Sequence, residues 1–203
     1  MLKYVVFDFD GTLADTYSEM KRIAEEELDL SEDDFDRIRK DGLREMIRNS
    51  DMSVCKFYSI AFKIKSKLNG ITGIKLFPGI IEVLSKLKSE YGLGIVSSNS
   101  EENIGRVLSE HELCGTFDFI HSDSSFFGKH KVLKRMCRKL KVKPEEVIYI
   151  GDEDRDVIAS RKNGIKCIAV TWGFNSEENL KKESPDFLAR KPSDILANIS
   201  HQK

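Results

Sequence analysis

The sequence predicts an α/β fold: a parallel sheet with helices on both faces and a small all-helical unit inserted near its start. Three observations predict it. Short apolar runs of strand length recur along the chain, as suits strands buried on both faces of a parallel sheet. Amphipathic stretches of about ten residues separate most of them, the alternation that builds βαβ units into a Rossmann-like sheet. One interval, residues 16–76, breaks the rhythm with helical spacing and no convincing strand.

The first predicted strand is residues 4–8, where Tyr4, Val5, Val6 and Phe7 run together. Thr16-x-x-Glu19 has the form of a capping box opening a helix through Leu28, and Ser31-x-x-Asp34 is a weaker second one. Ile38, Leu43, Met46 and Ile47, then Phe57, Ile60, Ile64 and Leu68, recur near helical spacing. Turn residues at 69–73 and Phe77-Pro78-Gly79 return the chain to the sheet. Strands are then predicted at 93–96, 117–120, 147–150 and 167–170, alternating with helices at 79–90, 101–110, 131–140 and 154–163. Residues 193–203 read as a short helix with a frayed end. The expected division is a core of residues 1–15 and 77–203 with an inserted helical cap of residues 16–76.

Composition narrows the function. At ~150 residues per domain, a chain of 203 suits one core plus a small accessory unit. Hydrophobic residues make up 40%, enough for a real core. Thirty-three basic residues against 34 acidic ones leave a net charge of −1, which argues against nucleic acid as a partner. No apolar run approaches the ~20 residues of a membrane helix. The first residues lack the pattern of a signal peptide, so a cytoplasmic location is expected. Cys55, Cys114, Cys137 and Cys167 form no CxxC pair and read as buried thiols rather than a disulfide or zinc framework.

Four polar features lie at or just beyond predicted strand ends, where open parallel sheets form their ligand crevice. In Asp8-x-Asp10-Gly11-Thr12, two carboxylates share one side of an extended chain. They repel unless a cation or a shared proton relieves them, and oxygen donors favour a divalent ion such as Mg²⁺. Ser97-Ser98-Asn99 follows the second strand and offers a hydroxyl and an amide to phosphate oxygens; Ser and Asn equally favour helix N-caps, a role that suits Ser100. Lys129 follows Gly128 and would neutralise charge beside carboxylates and phosphate, although Lys131, Lys134, Arg135, Arg138 and Lys139 nearby read as a solvated face. Gly151-Asp152-Glu153-Asp154-Arg155-Asp156 puts Asp152 at a strand tip and Asp156 four residues on, on the same face if a helix starts between them. An acidic helix N-terminus would explain Glu153 and Asp154 without any ligand.

In order and spacing, Asp8-x-Asp10-Gly11-Thr12-Leu13, the Ser-Asn strand end, Gly128-Lys129 and Gly151-Asp152-x-x-x-Asp156 resemble the four signatures of the haloacid dehalogenase-like (HAD) superfamily. The helical insert is similar to that family's C1 cap. Val170-Thr171-Trp172-Gly173-Phe174 and Pro185-Asp186-Phe187 are similar to its phosphoglycolate phosphatase-like branch. The resemblance implies a phosphatase. Asp8 would attack phosphorus and form an aspartyl-phosphate, and Asp10 would protonate the leaving oxygen and then activate water. Mg²⁺ would be held by Asp8, the Asp10 backbone carbonyl and Asp152, with Asp156 direct or through water. Thr12, Ser98, Asn99 and Lys129 would bind the transferring phosphoryl group.

Asp10 argues against the dehalogenase branch, since halide needs no acid to leave. A phosphonate-cleaving activity would need a Schiff-base lysine in the cap, and nothing singles out one of Lys21, Lys40 and Lys56. Residues 25–36 carry eight acids and no base and read as a solvent face. Arg37, Arg39, Lys40, Arg44 and Arg48 follow, and Arg44 is the chosen candidate for meeting a substrate carboxylate. A closing lid favours a small phosphorylated metabolite over a phosphoprotein. The expected state is a monomer or homodimer. A phosphosugar mutase using the same residues, or an idle phosphate- or partner-binding module, are the alternatives.

Overall fold

The computed structural model describes residues 1–28, 32–41, 48, 59, 62–64, 66–68, 70–122 and 128–200. Six strands form one sheet: β1 (Tyr4–Phe7), β2 (Gly92–Ser97), β3 (Phe119–Ser122), β4 (Val147–Gly151), β5 (Lys166–Val170) and β6 (Phe187–Ala189). All pairings are parallel and the order is β3-β2-β1-β4-β5-β6. The chain thus starts in the middle of the sheet and fills one side, then the other. Phe7 pairs with Ile95 of β2 and Ile150 of β4, so the ends of these three strands lie side by side. Whatever follows Phe7, Ser97 and Gly151 in sequence must converge at that switch point.

Alternation fixes the two faces. Val5 and Phe7 enter one buried cluster with Leu93, Ile95, Ile148 and Ile150. Val6 enters the other with Val96, Val147 and Tyr149. Helices α3 (Ile80–Lys88), α4 (Glu101–Glu110) and α8 (Pro192–Ser200) cover the first face through residues such as Ile80, Leu84, Ile104 and Ile195. Helices α5 (Lys129–Leu140), α6 (Asp154–Arg161) and α7 (Glu177–Lys182) cover the second through Leu133, Met136, Val157 and Leu180.

Between β1 and α3 lie α1 (Tyr17–Leu28) and α2 (Glu32–Asp41). No strand is present between residues 16 and 75 among the described residues. The segments leading into and out of this interval are paired: Asp15 N–H donates to Lys75 O at 2.8 Å and Phe77 N–H to Leu13 O at 3.0 Å. The α2 backbone also meets the core, where Ser176 N–H donates to Arg39 O at 2.9 Å. Glu25, Glu26, Asp33 and Asp36 are exposed, as expected of the acidic run.

Several expectations are corrected. β6 was not anticipated; it is three residues long and gives no periodicity to read. β3 begins two residues later than expected, because Phe117 packs on the core as the chain approaches the sheet. α5 begins at Lys129 rather than 131. The Thr16 hydroxyl is buried without a hydrogen-bond partner and Glu19 binds Arg22, so α1 starts where expected without a capping box. Ser31 lies outside the described residues. Cys137 and Cys167 are buried, but Cys114 is exposed, since it sits in the turn beyond α4 rather than on its packed face; Cys55 is not among the described residues. No helix among the described residues is long and apolar enough to cross a membrane.

Candidate active site

The Asp8 N–H donates to Ile150 O at 2.8 Å, so the first carboxylate leaves the sheet still tied to β4. The chain then coils tightly, with Leu13 N–H and Ala14 N–H both donating to Phe9 O. Gly11 turns this loop at φ +72°, in the left-handed region that favours glycine. A Cβ there would lie 2.1 Å from Asp152 Oδ2. Gly11 is therefore required both for the turn and for the close approach of the two acidic loops.

Asp152 follows β4, and α6 starts two residues later. Asp156 accordingly falls in the first helical turn, where its Oδ2 accepts the Glu153 N–H at 3.1 Å. Asp152 is fixed on both oxygens: Oδ1 accepts the Thr12 hydroxyl at 2.8 Å, and Oδ2 accepts the Phe174 N–H at 2.7 Å. Carboxylate oxygens of Asp8, Asp152 and Asp156 all lie within 4.8 Å of one another, and all three residues are buried.

Lys129 is the counter-ion. Its Nζ donates to Asp8 Oδ2 at 2.7 Å and also to Asp156 Oδ1. It is 6% exposed, whereas Lys131, Lys134, Arg135, Arg138 and Lys139 on the same helix are exposed. Three carboxylates and one ammonium leave two negative charges. All-oxygen donors and that residual charge fit a hard divalent cation.

The electrostatics carry the same message. Burial raises the Asp152 carboxyl well above its usual range, and Glu153, Asp8 and Asp156 add to the rise; the Phe174 N–H opposes it. Burial pushes Asp156 up to about 6, with Lys129 pulling the other way and Asp8 adding to the rise. Burial would lower the Lys129 ammonium, but Asp156 and Asp8 outweigh it and hold the group charged. Without a cation the site is short of positive charge.

Asp10 is oriented from the other side. Its Oδ1 accepts the Asn99 Nδ2–H at 3.1 Å. Asn99, expected at phosphate, thus spends its amide on Asp10, while Thr12 spends its hydroxyl on Asp152. Ser98 is half-buried at the tip of β2, and Ser100 caps α4 by accepting the Asn103 N–H at 3.2 Å. Arg44 lies outside the described residues.

Other contributors were not singled out from sequence. Glu153 pairs with Arg155 beside the acidic cluster. Phe174 donates its backbone N–H to Asp152, and Trp172 Nε1–H donates to Thr12 O at 3.2 Å. The Val170–Phe174 similarity noted above is the only sequence signal that pointed to this loop.

Comparison with known proteins agrees with this arrangement. The family model for "Haloacid dehalogenase-like hydrolase" matches residues 5–170. A phosphoglycolate phosphatase from Synechococcus elongatus is 31% identical over 207 residues, covering 98% of each chain. The solved structure of a haloacid dehalogenase-like family hydrolase from Streptococcus pneumoniae is 26% identical with a TM-score of 0.77, covering 98% of each chain. A predicted phosphatase from Clostridium acetobutylicum shares the fold at a TM-score of 0.80 and 24% identity, covering 99% of each chain. The motifs, the six-stranded parallel sheet and these likenesses show that the chain belongs to the haloacid dehalogenase-like hydrolases, in their phosphoglycolate phosphatase-like branch.

Proposed function

We propose that this protein is a Mg²⁺-dependent phosphatase of small phosphorylated metabolites, phosphoglycolate first among them, working through an aspartyl-phosphate on Asp8. The observation that carries the reading is the contact of Asp8 with Lys129 inside the buried Asp8–Asp152–Asp156 cluster. A carboxylate held beside a charged lysine and a divalent-cation site is equipped to attack an anionic phosphate.

In the first step an Asp8 oxygen attacks phosphorus, the bond from phosphorus to the ester oxygen breaks, and Asp10 gives its proton to the departing alcohol. In the second, water attacks the same phosphorus, loses a proton to Asp10, and the bond from phosphorus to Asp8 breaks. Inorganic phosphate leaves and both aspartates return to their starting states. Asp8 and Asp152 would hold the metal with the Asp10 carbonyl, and Asp156 directly or through water; the ion supplies charge neutralisation of the phosphoryl oxygens. Lys129 supplies the remaining positive charge, and Ser98 binds a phosphoryl oxygen. Thr12 and Asn99 support these groups by holding Asp152 and Asp10. The inserted segment, residues 16–76, acts as the cap that excludes bulk water and selects the alcohol portion of the substrate. Arg44 is the cap residue proposed to meet a substrate carboxylate.

The test is phosphate release from a panel of small phosphate esters, phosphoglycolate included, with Mg²⁺ or with chelator. Metal-dependent release, lost in Asp8→Asn, is the expected result. Isomer formation from a hexose 1-phosphate with the bisphosphate, without free phosphate, would replace the phosphatase reading with a mutase. No turnover by folded, metal-supplied protein would leave a binding module.

A further inference from the structure

We infer that Arg106, on an outer helix and outside the four motifs, is a positioning residue for Asp10, acting through Asn103 and Asn99 and anchored through Glu110 to the linker at Gly73. The inference rests on the acid–base role proposed for Asp10.

The contacts form one continuous chain. Gly73 N–H donates to Glu110 Oε2 at 3.1 Å. Glu110 Oε1 accepts Arg106 Nη1–H at 2.6 Å. Arg106 Nη2–H donates to Asn103 Oδ1 at 2.6 Å. Asn103 Nδ2–H donates to Asn99 Oδ1 at 3.1 Å, and Asn99 Nδ2–H donates to Asp10 Oδ1 at 3.1 Å. Asn99 and Asn103 are buried; Arg106 is half-buried.

The polarity of this chain is set at its ends. A guanidinium only donates, so Asn103 must turn its oxygen toward Arg106 and its NH₂ toward Asn99. That in turn asks Asn99 to receive on oxygen and donate to Asp10. The Ser100 N–H, donating to Asn99 Oδ1 at 2.8 Å, reinforces the same orientation. An N–H delivered to Asp10 Oδ1 directs the carboxyl proton to Oδ2 when Asp10 acts as an acid. Arg106 therefore selects which oxygen of Asp10 carries the proton.

An ordinary surface ion pair at this helical spacing would end at Glu110. Here the second Glu110 oxygen takes a backbone N–H from the segment that returns from the inserted helices, 37 residues away in sequence. Arg106, followed by that N–H, holds the Glu110 carboxyl below its usual range against the cost of desolvation. The next residue repeats the attachment, with His111 Nε2 and Ile74 O at 2.7 Å. The end of α4 thus grips the linker on one side and orients Asp10 on the other.

The test compares wild type with Arg106→Ala, Arg106→Lys and Glu110→Gln in single-turnover release of alcohol from an alkyl phosphate and of 4-nitrophenolate from 4-nitrophenyl phosphate. An alkoxide needs a proton to leave and a nitrophenolate does not. Arg106→Ala is expected to slow alkyl release about tenfold, a fraction of a full acid–base contribution, and to slow 4-nitrophenolate release far less. KM should stay within about twofold, because no substrate-binding group is removed. Arg106→Lys should resemble Arg106→Ala, since one ammonium lacks the fork that spans Asn103 and Glu110. Glu110→Gln keeps one acceptor oxygen but turns its NH₂ toward the other donor, so it should slow alkyl release by no more than Arg106→Ala does and, like it, slow 4-nitrophenolate release far less. Equal losses on both esters, or no loss in folded Arg106→Ala, would overturn the inference. If wild type hydrolyses no ester, the proposed function fails. The side-chain amide signals of Asn99 and Asn103 in ¹⁵N-labelled protein then decide the positioning role: a shift in Arg106→Ala supports it, and unmoved signals overturn it.

Discussion

Lys129 Nζ lies 2.7 Å from Asp8 Oδ2 although 121 residues separate them in the chain. The contact is possible because β1 and β4 are neighbours and α5 runs behind them with its first residue at the strand ends. Removing the ammonium leaves Asp8 and Asp156 facing each other without their shared donor. Lys129→Ala should lower turnover by about 100-fold or more, as for other groups that meet developing phosphoryl charge. It should also lower the thermal midpoint in chelator, with excess Mg²⁺ recovering part of the loss. Unchanged phosphate release would remove Lys129 from the machinery.

Thr12 touches Asp152 rather than open space. Its hydroxyl holds Oδ1 while the Phe174 N–H holds Oδ2. Thr12→Val keeps the shape of the buried side chain and deletes only that donor. The expected result is Mg²⁺ affinity weakened about tenfold, in the range seen when a ligand's supporting hydrogen bond is lost. Stability should fall by about 1 kcal/mol. Titration of metal by calorimetry, paired with denaturant unfolding, reads both.

Gly173 makes a second close approach to the site, beside that of Gly11. A Cβ there would lie 2.3 Å from Gly11 O and 2.4 Å from the Asp152 Cβ. Neither neighbour has room to yield, because Gly11 is in the turn and Asp152 is fixed at both oxygens. Gly173→Ala should destabilise the protein by about 1–3 kcal/mol through overpacking and weaken the metal site together with it. Loss of stability with full metal affinity would show that Asp152 moves without consequence.

Every strand except β6 was legible because its apolar run is local, and the acids Asp8 and Asp152 because each follows such a run. The continuous run Tyr4–Phe7 marked the first strand, and the position after a strand marked Asp8 and Asp152. Lys129 was separable from its neighbours by the glycine before it, while its burial follows from facing the sheet on α5. The partners of Asp10 and Asp152 were not legible in the same way. Asn103, Arg106 and Glu110 look like an ordinary solvated helix face, and only the fold reveals that Gly73 lies beside them. Phe174 contributes a backbone N–H, which no side-chain pattern encodes.

Gly105 offers a control in the same helix as Arg106. It lies inside α4, its φ is ordinary, and a Cβ there meets nothing within 4 Å. Glycine in a helix interior gives away backbone entropy. Gly105→Ala should therefore stabilise the protein by about 0.5–1 kcal/mol without altering turnover. Denaturant midpoints measure the first and steady-state rates the second. A loss of stability would mean that α4 needs the flexibility of this position.

The metal site should couple stability to pH in a direction set by its raised carboxyls. Burial raises Asp156 from its ordinary 3.8 to about 6, and Asp152 moves in the same direction. Both therefore hold protons more tightly folded than unfolded. The Asp156 contribution to stability is fully present below about pH 3.8 and is lost as pH rises toward and through about 6; that of Asp152 runs in the same direction. In chelator, this contribution should make the wild type lose stability between those values relative to Asp156→Asn, which cannot ionise there. A divalent cation competes with the same protons, so its stabilising effect should be large at pH 7.5 and shrink as pH falls through about 6. Thermal midpoints with and without Mg²⁺, taken across this range, measure the difference directly. A Mg²⁺-induced shift that is equally large at pH 5 and pH 7.5 would mean that these carboxyls do not take up protons where their burial places them.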